Sequence, residues 1–140
     1  MKVHKKANNE YLGWGIIITL ILAVILGNYL FRTDLNENMS YSVGKVLKIT
    51  SGGSAGGLHF RYPEYEGKYN LVQNITWPNC RSLIKRRLND MAKLDFPVVY
   101  SSKNPRHSKI LIFDYQYEKY NVEIPKELEE IVRELSQCLK

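Results

Sequence analysis

The residues of this 140-residue chain that could do chemistry are few, and their spacing argues against most reactions. Gly52-Gly53-Ser54-Ala55-Gly56 fits the G-x-S-x-G pattern of a serine nucleophile elbow. That elbow needs a strand before it, a helix after it and an α/β sheet able to bring His and Asp to the serine; here a strand comes next, and the chain is short for that fold. The same run lacks the Gly-Lys-Ser/Thr ending with which a P-loop holds phosphates. His59 and His107 have no His, Cys or paired carboxylate at ligand spacing, so both are expected at the surface rather than in a metal or general-base site. No catalytic, metal or cofactor-binding residue is assigned. Asn74-Ile75-Thr76 fits the glycosylation sequon but falls inside an expected strand.

Two cysteines, Cys80 and Cys138, form no C-x-x-C motif and are too few for zinc. Two alternatives stay open: a disulfide in an oxidising compartment, which would pin the terminal helix to the start of the preceding one, or two separate buried thiols. From Arg81 to Lys109 there are eight basic residues against Asp90 and Asp95. They are either the solvated side of a helix and a loop or a basic contact surface formed by Lys85, Arg86, Arg87, Lys103 and Arg106. Beyond residue 31 the chain holds 17 basic and 13 acidic residues, a mild net +4. That balance does not call for a nucleic-acid partner, whose footprint is clustered positive charge.

These side chains must be positioned by the chain beyond an uncharged run, Leu12 to Phe31. A helix of that length is ~30 Å long, the hydrocarbon thickness of a bilayer. Trp14 and Tyr29 stand near its ends as interfacial rings do. The apolar core exceeds that of a signal peptide and offers no small-x-small cleavage site, so an uncleaved single-pass anchor is expected. Lys2, Lys5 and Lys6 outweigh Glu10 before the run, whereas Arg32, Asp34 and Glu37 come after it. The positive-inside rule then keeps residues 1–11 cytoplasmic and puts the later domain outside, in a periplasm or extracellular space (on the inner membrane of a Gram-negative source). Gly15, Thr19, Ala23 and Gly27 recur every fourth position, a small-residue stripe suited to pairing with a copy of the helix or a partner's helix.

Residues 32–40 read as a polar linker and 41–140 as one small α+β domain. Tyr41, Val43, Leu47 and Ile49 alternate as the buried side of a first strand. The glycine-rich Ser51 to Gly57 reads as a flexible loop. Leu58 to Tyr62 and Tyr69 to Trp77 continue a meander. An amphipathic helix is expected from Cys80 to Leu94, capped by Asn79. Phe96 to Tyr100 and Lys109 to Tyr115 give two more strands, the last apolar on both faces and so expected at the centre. A looser segment, Gln116 to Ile124, leads to a terminal amphipathic helix after Pro125. The result is a curled or barrel-like sheet of about five antiparallel strands with two amphipathic helices.

Gly44-Lys45-Val46, Tyr65-Glu66-Gly67-Lys68-Tyr69, Pro97-Val98-Val99-Tyr100, Lys103-Asn104-Pro105 and Ile110-Leu111 together resemble the DUF3592 family of small membrane-associated β domains, over residues 43–112. The resemblance implies a curled antiparallel β domain held at a membrane, with no established reaction. Family members place the domain between two membrane helices, whereas the terminal helix here carries charge throughout. The expected function is a non-enzymatic, membrane-anchored interaction module: an accessory subunit of a membrane or envelope complex, or an immunity-like binding protein. A small envelope enzyme with a dispersed active site is the alternative.

Overall fold

One long strand, β1 (Met39–Gly52), carries the domain, because it pairs with different neighbours along its two halves. In the computed structural model, which describes residues 4–52 and 55–140, Met39 to Gly44 pair with β4 (Phe96–Ser101). Lys45 to Gly52 pair with β2 (Ala55–Arg61). The strand changes partner where a side chain would obstruct it. A Cβ on Gly44 would stand 2.6 Å from Val98 Cγ2 and 2.8 Å from the Arg61 carbonyl oxygen. A bulge between Val46 and Lys48 adds the bend that a curled sheet needs.

With β3 (Leu71–Ile75) and β5 (Ser108–Ile110), the antiparallel order is β3-β2-β1-β4-β5. A three-strand meander whose fourth strand returns beside the first is a Greek key. With a fifth strand it has the connectivity of a small, partly open five-stranded barrel. The two edges approach each other. Gln73 of β3 donates from Nε2 to the Ile110 carbonyl and accepts the Ile110 N–H at Oε1, each at 3.1 Å, so one side chain satisfies the backbone of the facing edge strand. The sheet is therefore nearly closed.

Register places Val46 opposite Phe60, Ile49 opposite Leu58, and Val98 between Ser42 and Ile110, all on the inner face. Val46, Leu58, Phe60, Phe96, Val98 and Ile110 are buried there. This reverses the side expected for the start of β1. Tyr41 and Val43 are each 53 % exposed and Leu47 is also exposed, whereas Ser42 and Gly44 face inward. Inside so tight a curl the crossing point takes small residues, and the larger apolar ones are turned outward.

Helix α2 (Pro78–Met91) lies between β3 and β4 with Pro78 in its first turn and Cys80, Ile84 and Met91 on its buried face, at helical spacing. Trp77, not Asn79, holds the N-cap position. The glycine-rich run is not a loose loop in its described part: Ser51 pairs with Gly56 and Gly52 with Ala55. Gly56 is required there, because a Cβ would run into the Arg81 side chain of α2 and come within 2.9 Å of the Thr50 carbonyl. Gly53 and Ser54, the centre of the G-x-S-x-G pattern, lie outside the described residues.

The last strand is shorter than expected and stands at the edge, not the centre. Its apolar continuation, Leu111, Ile112 and Phe113, is buried between the barrel and the C-terminal helices. The segment read as loose is helix α3 (Asp114–Tyr120). Buried Gln116 starts it by accepting the N–H groups of Ile112 (2.8 Å) and Phe113 (3.0 Å). Asn121, left-handed at φ 52°, ends it, a conformation asparagine tolerates. Helix α4 (Glu129–Ser136), preceded by a 3-10 turn at Lys126–Leu128, closes the core with Ile131, Val132 and Leu135.

Helix α1 (His4–Glu37) does not stop at Phe31. Residues 32–37, expected in a linker, continue the helix, and only Asn38 separates it from β1. Within it, Gly13–Glu37 is long and apolar enough to cross a membrane, and no residue from 13 to 30 is buried against the domain.

Candidate functional site

The junction between α1 and the barrel is where the polar chemistry concentrates. Leu35, only 2 % exposed, plugs into the core from the last turns of α1. One turn before it, Phe31 meets the His107 ring edge to face at 4.9 Å between centroids. Asp34 Oδ2 accepts from His107 Nδ1 at 2.5 Å, and Asn38 Nδ2 donates to Asp34 Oδ1 at 2.9 Å. These contacts tie α1 to the turn between β4 and β5.

That turn is itself knitted together. His107 N–H donates to the Asn104 carbonyl (2.8 Å), Asn104 N–H to buried Ser101 Oγ (3.1 Å), and Ser101 N–H to the His107 carbonyl (2.8 Å). Asn104 Nδ2 lies 3.3 Å from His107 Nε2, so the imidazole donates to Asp34 from one nitrogen and accepts from Asn104 at the other. Both ring nitrogens are engaged, and among the described residues no serine or cysteine faces Nε2 as a nucleophile would have to. The pair positions a helix. Sequence reasoning placed His107 at the surface because its partner lies 73 residues away on what was read as a linker.

The other candidates are dispersed. His59 stands on the outer face, 3.2 Å from Thr50 Oγ1, with its pKa lowered by partial burial and by the nearby Lys48 charge. Among the described residues no group of three His, Cys, Asp or Glu converges as a metal site would. Cys80 and Cys138 are joined by a disulfide with Cα atoms 5.0 Å apart, linking the first turn of α2 to the chain end just after α4. Lys85 and Arg86 are exposed on α2, and Arg87 pairs there with Asp90 (2.9 Å) and Glu134 (3.1 Å). Lys103 and Arg106 belong to the turn between β4 and β5, whereas Lys85, Arg86 and Arg87 belong to α2, which precedes β4. In α1, Gly15 and Gly27 face open space, while the Thr19 hydroxyl donates to the Gly15 carbonyl at 2.8 Å.

Fold and site together define a small, nearly closed five-stranded α+β barrel carried on the end of a bare apolar helix. In comparisons with known proteins the chain matches no family model, no curated protein sequence and no solved structure. The resemblance to DUF3592 domains thus rests on the turn motifs themselves. In one of them, Arg61 holds the Tyr65-to-Tyr69 turn by donating to the Gly67 (3.0 Å) and Lys68 (2.9 Å) carbonyls and to Asn70 Oδ1 (2.8 Å).

Proposed function

We propose that this chain is a single-pass, membrane-anchored, non-enzymatic interaction module, whose barrel is presented on the extracytoplasmic side as an accessory subunit of an envelope complex or as an immunity-like binding protein. The observation that carries this reading is the unbroken α1: its apolar part is bare and its end is locked into the barrel, so the domain is held at a set orientation and distance from whatever surrounds the helix. A free-swinging catalytic domain would need no such lock. An exposed surface of Ile, Leu and Val over residues 13–30 supports this reading, since a lipid bilayer would cover it.

Two features support the outer location. Lys2, Lys5 and Lys6 precede the apolar run, and the disulfide suits an oxidising compartment. Exposed Tyr41 and Val43 on the outer face of β1 supply apolar contact area for a protein partner. The stripe Gly15, Thr19, Ala23 and Gly27 allows a second helix to approach α1 closely. A periplasm-dependent reporter fused after Lys140 should be active and a cytoplasm-dependent one silent; the reverse result would overturn the orientation.

A further inference from the structure

Where α1 leaves its apolar run, two cations that form no ion pair among the described residues, Arg106 and Lys109, share one cavity. Phe31, Arg106, Ser108 and Lys109 line a cavity of about 240 Å³ beside the seam between β3 and β5, with Gln73 and Asn74 on the facing wall. Lys109 Nζ stands 5.9 Å from the Phe31 ring centroid. The Lys109 pKa is lowered, first by burial and then by the charges of Lys119 and Arg32. The ion pairs among the described residues are Lys45–Asp95, Arg87–Asp90, Arg87–Glu134 and His107–Asp34, so Arg32, Arg106, Lys109 and Lys119 enter none of them. The Ser108 hydroxyl is buried beside the Tyr62 phenol, which gives its own proton to the Pro105 carbonyl.

Crowding like charges in a half-buried place is unfavourable unless an anion joins them. Phe31 is the last residue of the apolar run, so on the membrane-anchored reading, on which this inference rests, the cavity opens at the level of lipid headgroups. We propose that the cavity walled by Phe31, Arg106 and Lys109 binds the phosphate of an anionic phospholipid from the leaflet into which α1 emerges. Arg106 and Lys109 hold the phosphate oxygens, Asn74 supplies a neutral donor, and Phe31 packs on the glycerol and upper acyl chain. The lipid thereby becomes part of the helix–barrel junction, since the same Phe31 ring contacts His107.

The test reconstitutes the full chain into nanodiscs of neutral phosphatidylcholine and of a mixture with phosphatidylglycerol, and counts retained lipids by native mass spectrometry. The wild type should enrich phosphatidylglycerol. Arg106→Ala and Lys109→Ala should each reduce that enrichment about fivefold, and the pair roughly twenty-fivefold, by the usual contribution of a cation at an anionic surface. Lys85→Ala/Arg86→Ala, on α2, should leave it unchanged; an equal loss there would mean unspecific attraction and overturn the site. Near-UV circular dichroism separates a lost site from a lost fold, and Arg106→Gln offers a milder variant that should show the same loss. If inorganic phosphate in detergent competes with phosphatidylglycerol at comparable concentration, the site serves a free phosphate and the lipid assignment fails. Incorporation into phosphatidylcholine discs without phosphatidylglycerol enrichment overturns this inference alone, whereas failure to incorporate removes the anchor as well.

Discussion

Replacing Cys80 and Cys138 together by alanine should cost this domain a large share of its stability. The bridge spans 58 residues of sequence, from the start of α2 across β4, β5 and α3 to the chain end. Closing a loop of that length removes unfolded-state entropy equivalent to about 4 kcal/mol in the chain-entropy model. A domain of this size has only about 5–15 kcal/mol in total. With roughly 4–8 °C of melting temperature per kcal/mol at about 100 residues, the double variant should melt on the order of 15–30 °C lower. The covalent link matters more here than in a larger protein because α4 is two turns long and packs chiefly through Ile131, Val132 and Leu135. Thermal melts of full-length protein in detergent, followed by near-UV circular dichroism with and without a thiol reductant, measure the effect. Reductant should bring the wild type down to the variant and leave the variant where it was. A variant that melts within a few degrees of the oxidised wild type would refute the reasoning, as would one that responds to reductant equally.

Gly44→Ala should destabilise by about 1–3 kcal/mol, the usual cost of overpacking, because its Cβ meets both Val98 and the Arg61 carbonyl; urea unfolding that shows no loss would mean β1 can shift. Burial pushes the Tyr62 phenol up to about 12 from its ordinary 10, so its contribution to stability is intact below pH 10 and falls away as pH rises from 10 to 12. Tyr62→Phe should make that alkaline loss shallower, with the remainder due to Tyr115, Tyr117 and Tyr120, whose pKa values burial also raises; an unchanged slope would assign the loss elsewhere. Ala23→Leu/Gly27→Leu should leave membrane insertion intact while weakening any association through α1, read by crosslinking in membranes; unchanged crosslinking would leave the stripe as lipid-facing surface.

What the sequence showed well was set by local rules. The apolar run, the meander, α2 and the terminal helix all arise from patterns contained within one stretch of chain, and each is present. What it hid was set by closure. Tyr41, Val43 and Leu47 alternate as a core face should, yet the curl of the barrel needs Gly44 and Ser42 inside, and no local pattern reports a radius of curvature. Gln116 looks like a loop residue until Ile112 and Phe113 present their amides to it. The Asp34–His107 pair was illegible for the same reason: 73 residues separate its members, and neither stands in a motif.

The two ends of the barrel are secured by different means, and the difference fits an anchored domain. At one end α2, the paired glycines of β1 and β2 and the disulfide make a covalent clasp that needs no help from its surroundings. At the other, β1 begins, β4 turns into β5 and α1 arrives, and beside buried Leu35 the fastening there is a polar network of Asp34, His107, Asn38, Asn104 and Ser101. Hydrogen bonds among half-exposed groups are individually worth about 1 kcal/mol and weaken as water reaches them. Their strength at that end therefore depends on what shields the junction. A headgroup seated against Phe31 and Lys109 would exclude water from one side of the Asp34–His107 contact and neutralise the adjacent cations, so on the proposed lipid site the hold of the barrel on its helix would follow the lipid bound there.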